Sequence, residues 1–193
     1  EASGERYSMI TYATGKIQEN WYDTSGRIVR EDINGRTTQI NLYENRKRIS
    51  TDAAGNKTVY EFDEWNHLVK KTYPDGTTEA SEFDPVTKLN TLRKERNGTI
   101  TRYEYDDAGY LSRRVLADGT SGETTTEFTY DDMGNQLTMK ILGDGTTQES
   151  LTVMEYDELG NMTSITDPEG HTTTYTYNFM GLQLTRTDPL NHT

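Results

Sequence analysis

Three histidines, no cysteine and 32 acidic side chains bound the chemistry this chain could perform. Nucleophilic catalysis needs a nucleophile in contact with a base that a third group orients. Without a thiol, that base would have to be His67, His171 or His192. All three lie in or beside turn-forming stretches, and His171 and His192 occupy the same place in two copies of one motif, Thr166-Asp167-Pro168 to Thr172 and Thr187-Asp188-Pro189 to Thr193. A position copied in this way reads as turn chemistry. The adjacent carboxylates Asp106-Asp107 and Asp131-Asp132 would serve glycoside cleavage only by facing one bond, yet neighbours on an extended strand point to opposite faces. Acidic turns stacked at a regular pitch could line up oxygen ligands for calcium. Aspartate in a turn, however, ordinarily caps its own backbone. No catalytic, cofactor-binding or metal-ligating residue is assigned, and a non-enzymatic chain without a cofactor is expected.

The elements that carry these residues must be built from few aliphatic side chains. Only 31% of the 193 residues are hydrophobic and the net charge is -12. A mean hydropathy of -0.92 would by itself place the chain near the disordered class. Thirteen Tyr, four Phe and two Trp argue otherwise, because disordered chains are poor in aromatics. A pI near 4.7 disfavours nucleic acid and anionic membrane surfaces, both of which select clustered Lys and Arg. No run of 18 apolar residues is present to span a bilayer. The chain begins at Glu1 without an initiator Met or signal peptide, which reads as a piece processed or cut from a longer protein.

An aromatic residue followed by Asp, Glu or Asn recurs along the chain at Tyr22, Tyr43, Phe62, Phe83, Tyr105, Tyr130, Tyr156 and Tyr177. The intervals are 21, 19, 21, 22, 25, 26 and 21 residues. Four residues after the aromatic stands a turn residue, Gly26, Gly109, Gly134, Gly160 or Gly181, with Asn66 as a substitute that tolerates positive φ. Six residues after it comes an apolar residue, Ile28, Ile49, Leu68, Leu89, Leu111 or Met162. Gln136 and Gln183 take that place in two repeats, where a bulge is expected. A second turn precedes each aromatic and carries Gly15, Gly35, Gly55, Gly76, Gly98 or Gly170. Gly119 and Gly145 mark two longer versions. Asn34-Gly35, Asp75-Gly76, Asn97-Gly98, Asp118-Gly119 and Asp144-Gly145 are dipeptides suited to type I′ hairpin turns.

Each repeat thus holds two turns and two strands, and Thr172 to Tyr177 shows the strand period of two, with Tyr175 and Tyr177 on one face. Turn signals interrupt every helical window, so almost no helix is expected. The fold class read from the pattern is all-β: about eight tandem β-hairpins over residues 1–193, truncated at both ends, forming a long, twisted, curved antiparallel sheet of about 16 strands. An elongated ribbon with distant termini is the expected shape.

Tyr156-Asp157-Glu158-Leu159-Gly160-Asn161-Met162, followed by Asp167 to Thr172 and then Tyr175-Thr176-Tyr177, resembles the YD or Rhs repeat, as does Tyr105 to Leu111. The resemblance runs from about Tyr12 to Thr193. Two hairpins depart from it: Tyr43-Glu44-Asn45-Arg46-Lys47 lacks both the Asp and the Gly, and Asp84-Pro85-Val86-Thr87-Lys88 replaces the glycine turn. The resemblance implies a β-sheet that spirals into a shell, as in bacterial polymorphic toxins, toxin complexes, wall-associated proteins and teneurins. Some of these shells enclose a toxic domain, and some end in an aspartic self-cleavage motif. Asp188-Pro189 is repeated by Asp167-Pro168 as ordinary turn chemistry, so no catalytic residue is carried over.

The function expected from these readings is a structural scaffold within a secreted or cell-surface protein, its main partner being the rest of its own parent chain. The alternative is a module in which the aromatic row binds a cell-surface glycan or a protein. Four sequons, at Asn56, Asn97, Asn161 and Asn191, coincide largely with turns. Open sheet edges make edge-to-edge self-association a further expected property.

Overall fold

The computed structural model describes residues 6–143 and 149–193, and the Asp144-Gly145 turn lies outside them. The described residues contain 17 strands and no helix. They divide into two compact units: one runs to Glu82 and takes in Lys94–Gly98, and the other comprises Phe83–Arg93 and Thr99–Thr193.

In the first unit β1 (Arg6–Thr11), β2 (Ile17–Tyr22), β3 (Ile28–Ile33), β4 (Arg36–Glu44), β5 (Lys47–Asp52), β6 (Lys57–Phe62), β7 (Leu68–Thr72) and β8 (Thr78–Phe83) form a meander in which each strand pairs antiparallel with the next. The second unit continues the pattern with β9 (Asn90–Lys94), β10 (Ile100–Tyr105), β11 (Leu111–Leu116), β12 (Thr124–Tyr130), β13 (Gln136–Leu142), β14 (Ser150–Tyr156), β15 (Met162–Thr166), β16 (Thr172–Tyr177) and β17 (Gln183–Thr187). The all-β, hairpin-repeat reading of the sequence is the observed fold.

Most turns share one hydrogen-bond pattern. At Gly26, as at Gly15 before it, the glycine N–H donates to the carbonyl three residues back, that of Asp23 at 3.0 Å, and the Asp23 N–H donates to the Arg27 carbonyl at 2.9 Å, closing a three-residue loop. The pattern recurs around Gly55, Gly76, Gly109, Gly134, Gly160, Gly170 and Gly181, each at positive φ, and Asn66 (φ 68) and Asn191 (φ 65) take the glycine's place. A loop of this kind ends on one left-handed residue, whereas type I′ needs two. Asp75-Gly76 and Asn97-Gly98 are therefore not type I′ turns, since only their glycines have positive φ. At Asp75-Gly76 the reason is local: Pro74 holds the first turn position at negative φ. In Asp118-Gly119 the left-handed residues are Ala117 and Gly119, and the Asp118 N–H is spent on the Ile100 carbonyl.

Asn34-Gly35 is a type I′ turn, with φ of 51° and 74°. So is the glycine-free Asn45-Arg46, at 36° and 62°, which closes β4 on β5 with Glu44 opposite Lys47. This explains how the departing Tyr43 repeat still makes its hairpin.

A bulge precedes the repeat aromatic in both units, not only in the two glutamine-bearing repeats. It makes Tyr22 oppose Ile28, Phe62 oppose Leu68, Tyr105 oppose Leu111, Tyr130 oppose Gln136, Tyr156 oppose Met162 and Tyr177 oppose Gln183. The apolar residue six positions on is therefore the aromatic's own cross-strand partner. Burial is sparse: among the described residues Val115 and Met154 are the only buried hydrophobic side chains.

Candidate functional site

The turn carboxylates are fully engaged in their own loops. Asp157 Oδ1 accepts the backbone N–H groups of Leu159 at 3.0 Å and Asn161 at 2.9 Å, and its Oδ2 accepts Asn161 Nδ2 at 2.9 Å. Asp131 does the same with Met133 and Asn135, and Asp52 with Ala54 and Asn56. Donation from the asparagine side chain, then from the turn amides, holds all three carboxyls below their ordinary range.

The same side-chain position is filled by Arg27, whose Nε lies 2.7 Å from Asp23, and by the three histidines. His67, His171 and His192 place Nδ1 at 2.8, 3.2 and 2.9 Å from Asp63, Asp167 and Asp188. Sequence reading saw the cap but missed this second clasp. The signal was present in the residue after each turn glycine, which is so often Arg, Asn or His.

Asp167, Glu169 and His171 bring three possible ligand atoms within 4.8 Å of one another on an exposed turn. The equivalent of Glu169 is Trp65 beside His67 and Leu190 beside His192, so the trio does not recur. The carboxylates of Asp106 and Asp131 likewise face their own turns, where they accept the N–H groups of Tyr110 and Asn135.

All eight repeat aromatics, Tyr22, Tyr43, Phe62, Phe83, Tyr105, Tyr130, Tyr156 and Tyr177, are half-buried. Four of the tyrosines share a tie to the neighbouring strand: Oη donates to the backbone carbonyl of the first residue of the strand just before its own. Tyr43 reaches Ile28 at 3.1 Å, Tyr105 reaches Asn90 at 2.9 Å, Tyr130 reaches Leu111 at 3.0 Å and Tyr177 reaches Met162 at 2.8 Å. The end of the ladder supplies the acceptor. The β3 to β4 ladder stops at Arg30, the β11 to β12 ladder at Arg113 and the β15 to β16 ladder at Ser164, which leaves the carbonyls of Ile28, Leu111 and Met162 beyond the last rung. A half-buried carbonyl needs a donor, and the tyrosine hydroxyl provides it. Tyr22 instead meets Ser8 Oγ at 3.1 Å. Burial pushes the hydroxyl pKa of Tyr105, Tyr130 and Tyr156 up, assisted at Tyr130 by the Asp106 carboxylate.

Ring faces are covered by varied neighbours. Arg27 lies 4.4 Å above the Tyr43 ring centre, and Tyr110 lies 5.1 Å from Tyr130. The row is therefore neither a buried stack nor an open apolar platform.

A hairpin clasped by an Asp cap, bulged before its aromatic and tied by that aromatic's hydroxyl defines a β-hairpin repeat protein. Residues 45–78 and 156–193 match the RHS Repeat family. The same register runs through both units, and in these two segments the chain is similar to the YD/Rhs repeat. Solved structures share the fold. The crystal structure of TcdB2-TccC3 matches with 18% identity and a TM-score of 0.54 over 93% of this chain. TcdB2-TccC3-Cdc42 matches with 16% identity and 0.52 over 97%. TcdB2-TccC3 without its hypervariable C-terminal region matches with 18% and 0.52 over 93%. The chain spans only 12% to 13% of the length of these chains. No curated protein matches it.

Proposed function

We propose that this chain is a non-catalytic structural element: part of the hairpin-repeat wall of a larger Rhs-type protein that acts outside the cell or at its surface, where the wall encloses or presents another domain of the same parent. The observation that supports this best is where the polar groups go. Turn carboxylates cap their own loops and tyrosine hydroxyls satisfy ladder-end carbonyls, so the groups that recur in the repeat serve architecture. The likeness to TcdB2-TccC3 extends to its forms carrying Cdc42 or lacking the hypervariable C-terminal region, which fits a wall that stands independently of what is attached to it. The test is limited proteolysis of the parent protein. A domain held behind this array should resist protease until the array unfolds. Equal cleavage rates with the array intact and with it deleted would overturn enclosure.

A further inference from the structure

Alone among the aromatic-bearing turns of the first unit, the Asn45-Arg46 hairpin has no Asp cap. It carries Arg46, Lys47 and Arg48 in succession, within a chain whose net charge is -12. The turn borders a depression of about 330 Å³ whose walls are Arg27, Tyr43, Arg46, Lys47, Arg48 and Phe62, with Glu44 as the single lining carboxylate. Its floor is held in place, because the Phe62 N–H donates to the Arg46 carbonyl at 2.8 Å.

Two of the cations are already fixed. Arg27 packs 4.4 Å above Tyr43 and is clasped by Asp23, while Arg48 packs 4.0 Å above Tyr60. Lys47 is paired with Glu61 at 3.0 Å. Arg48 Nε is buried and has no hydrogen-bond partner. A buried guanidinium N–H without an acceptor is costly unless something supplies one. Arg46, exposed at the rim, makes no ion pair among the described residues. Arginine forks held against ring faces lose little entropy on capturing an oxyanion, and their geometry suits one with several oxygens.

We propose that this depression binds a phosphate group, with Arg48 and Arg46 donating to its oxygens and Arg27 and Lys47 supplying the surrounding positive potential. The site stands apart from the scaffold reading and does not depend on it. Titrating inorganic phosphate into the isotope-labelled chain, against sodium chloride at matched ionic strength, should shift the amide resonances of Asn45, Arg46, Arg48 and Phe62 saturably.

Arg46→Gly preserves the turn, because glycine accepts its positive φ. It and Arg48→Gln should each weaken binding by roughly tenfold, the loss expected for one charge-assisted hydrogen bond. Tighter binding of a hexose phosphate than of inorganic phosphate assigns the site to a sugar ester, and equal binding assigns it to the free ion; either supports the proposal. An unsaturable response, equal shifts with chloride, or wild-type affinity in the folded Arg46→Gly chain would overturn it.

Discussion

The two units build the same hairpin from different packing chemistry. The first buries polar side chains, Asn20 at 4%, Asp32 at 3% and Asn41 at 7% exposure, and no hydrophobic one among its described residues. It covers aromatic rings with cations: Arg30 over Trp21, Arg48 over Tyr60, Arg96 over Tyr73. Asp32 is held by Arg30, whose guanidinium keeps its carboxyl below the ordinary range. The second unit also buries polar side chains, Thr101, Thr125, Thr126 and Ser164, but adds the hydrophobic Val115 and Met154 and pairs threonine hydroxyls across its strands, Thr129 with Thr138, Thr166 with Thr172 and Thr176 with Thr185. Turns touch in both units, through Arg96 on Asp75 and Thr77 in the first and through Tyr110 near Gly134 and Met133 near Gly160 in the second, but a Cβ at Gly26 or Gly55 would meet nothing within 4 Å. The turns and tyrosine ties already set register, so the sheet faces are free to use either chemistry.

The largest effect should come from what the units share. Tyr105→Ala should destabilise the chain by about 3 kcal/mol through loss of a half-buried ring. Tyr105→Phe should cost about 1 kcal/mol by removing only the donor to the Asn90 carbonyl. Equal losses in denaturant unfolding would show that the hydroxyl tie, not the ring, matters.

Apolar truncation should separate the units. Met154→Ala should cost about 2 kcal/mol in the second, while Leu42→Ala in the first, where Leu42 is 51% exposed, should cost under about 1 kcal/mol. Hydrogen exchange resolved by unit checks this, and a reversed order would break the comparison.

Turn contacts give a finer contrast. Gly26→Ala places a Cβ in open space at φ 79° and should cost about 1 kcal/mol for the left-handed backbone alone. Gly134→Ala sets a Cβ against the Tyr110 hydroxyl and should cost about 2 kcal/mol as that ring is displaced. Matching melting temperatures for the two variants would remove turn stacking from the account.

Acid should treat both units alike. Asp52 in one and Asp157 in the other have pKa values lowered by Asn56 and Asn161, so the stability they confer is present above the ordinary carboxylate value of 3.8 and is lost as pH falls below it. Asp75, pushed down to about 2 by the Thr77 hydroxyl and amide and by Arg96, should be the last to release. Amide shifts of Asn56 and Asn161 followed through an acid titration test this, and one turn loosening well above the other would separate the units after all. The smallest effect belongs to His171→Ala, an exposed clasp worth under about 0.5 kcal/mol.

Strand period and the aspartate cap were legible in the sequence because each depends on residues within about four positions of one another, where turn chemistry operates, and the repeat spacing was legible because that local motif recurs. The positive-φ glycines followed for the same reason. Even the histidines were readable as turn residues, although their clasp on the preceding Asp was not noticed. What the tertiary structure decided involves partners on other strands. The bulge before six of the eight repeat aromatics is a matter of cross-strand register, and so is the loop each turn dipeptide closes: Asp75-Gly76 and Asn34-Gly35 look alike but close loops of different length. The tyrosine ties depend on carbonyls 15 or 19 residues back that become acceptors only when a ladder ends. The basic depression at Arg46 and Arg48 draws its walls from three hairpins. Arg46, Lys47 and Arg48 are consecutive in the sequence, but only the pairing of strands brings Arg27 and Phe62 beside them.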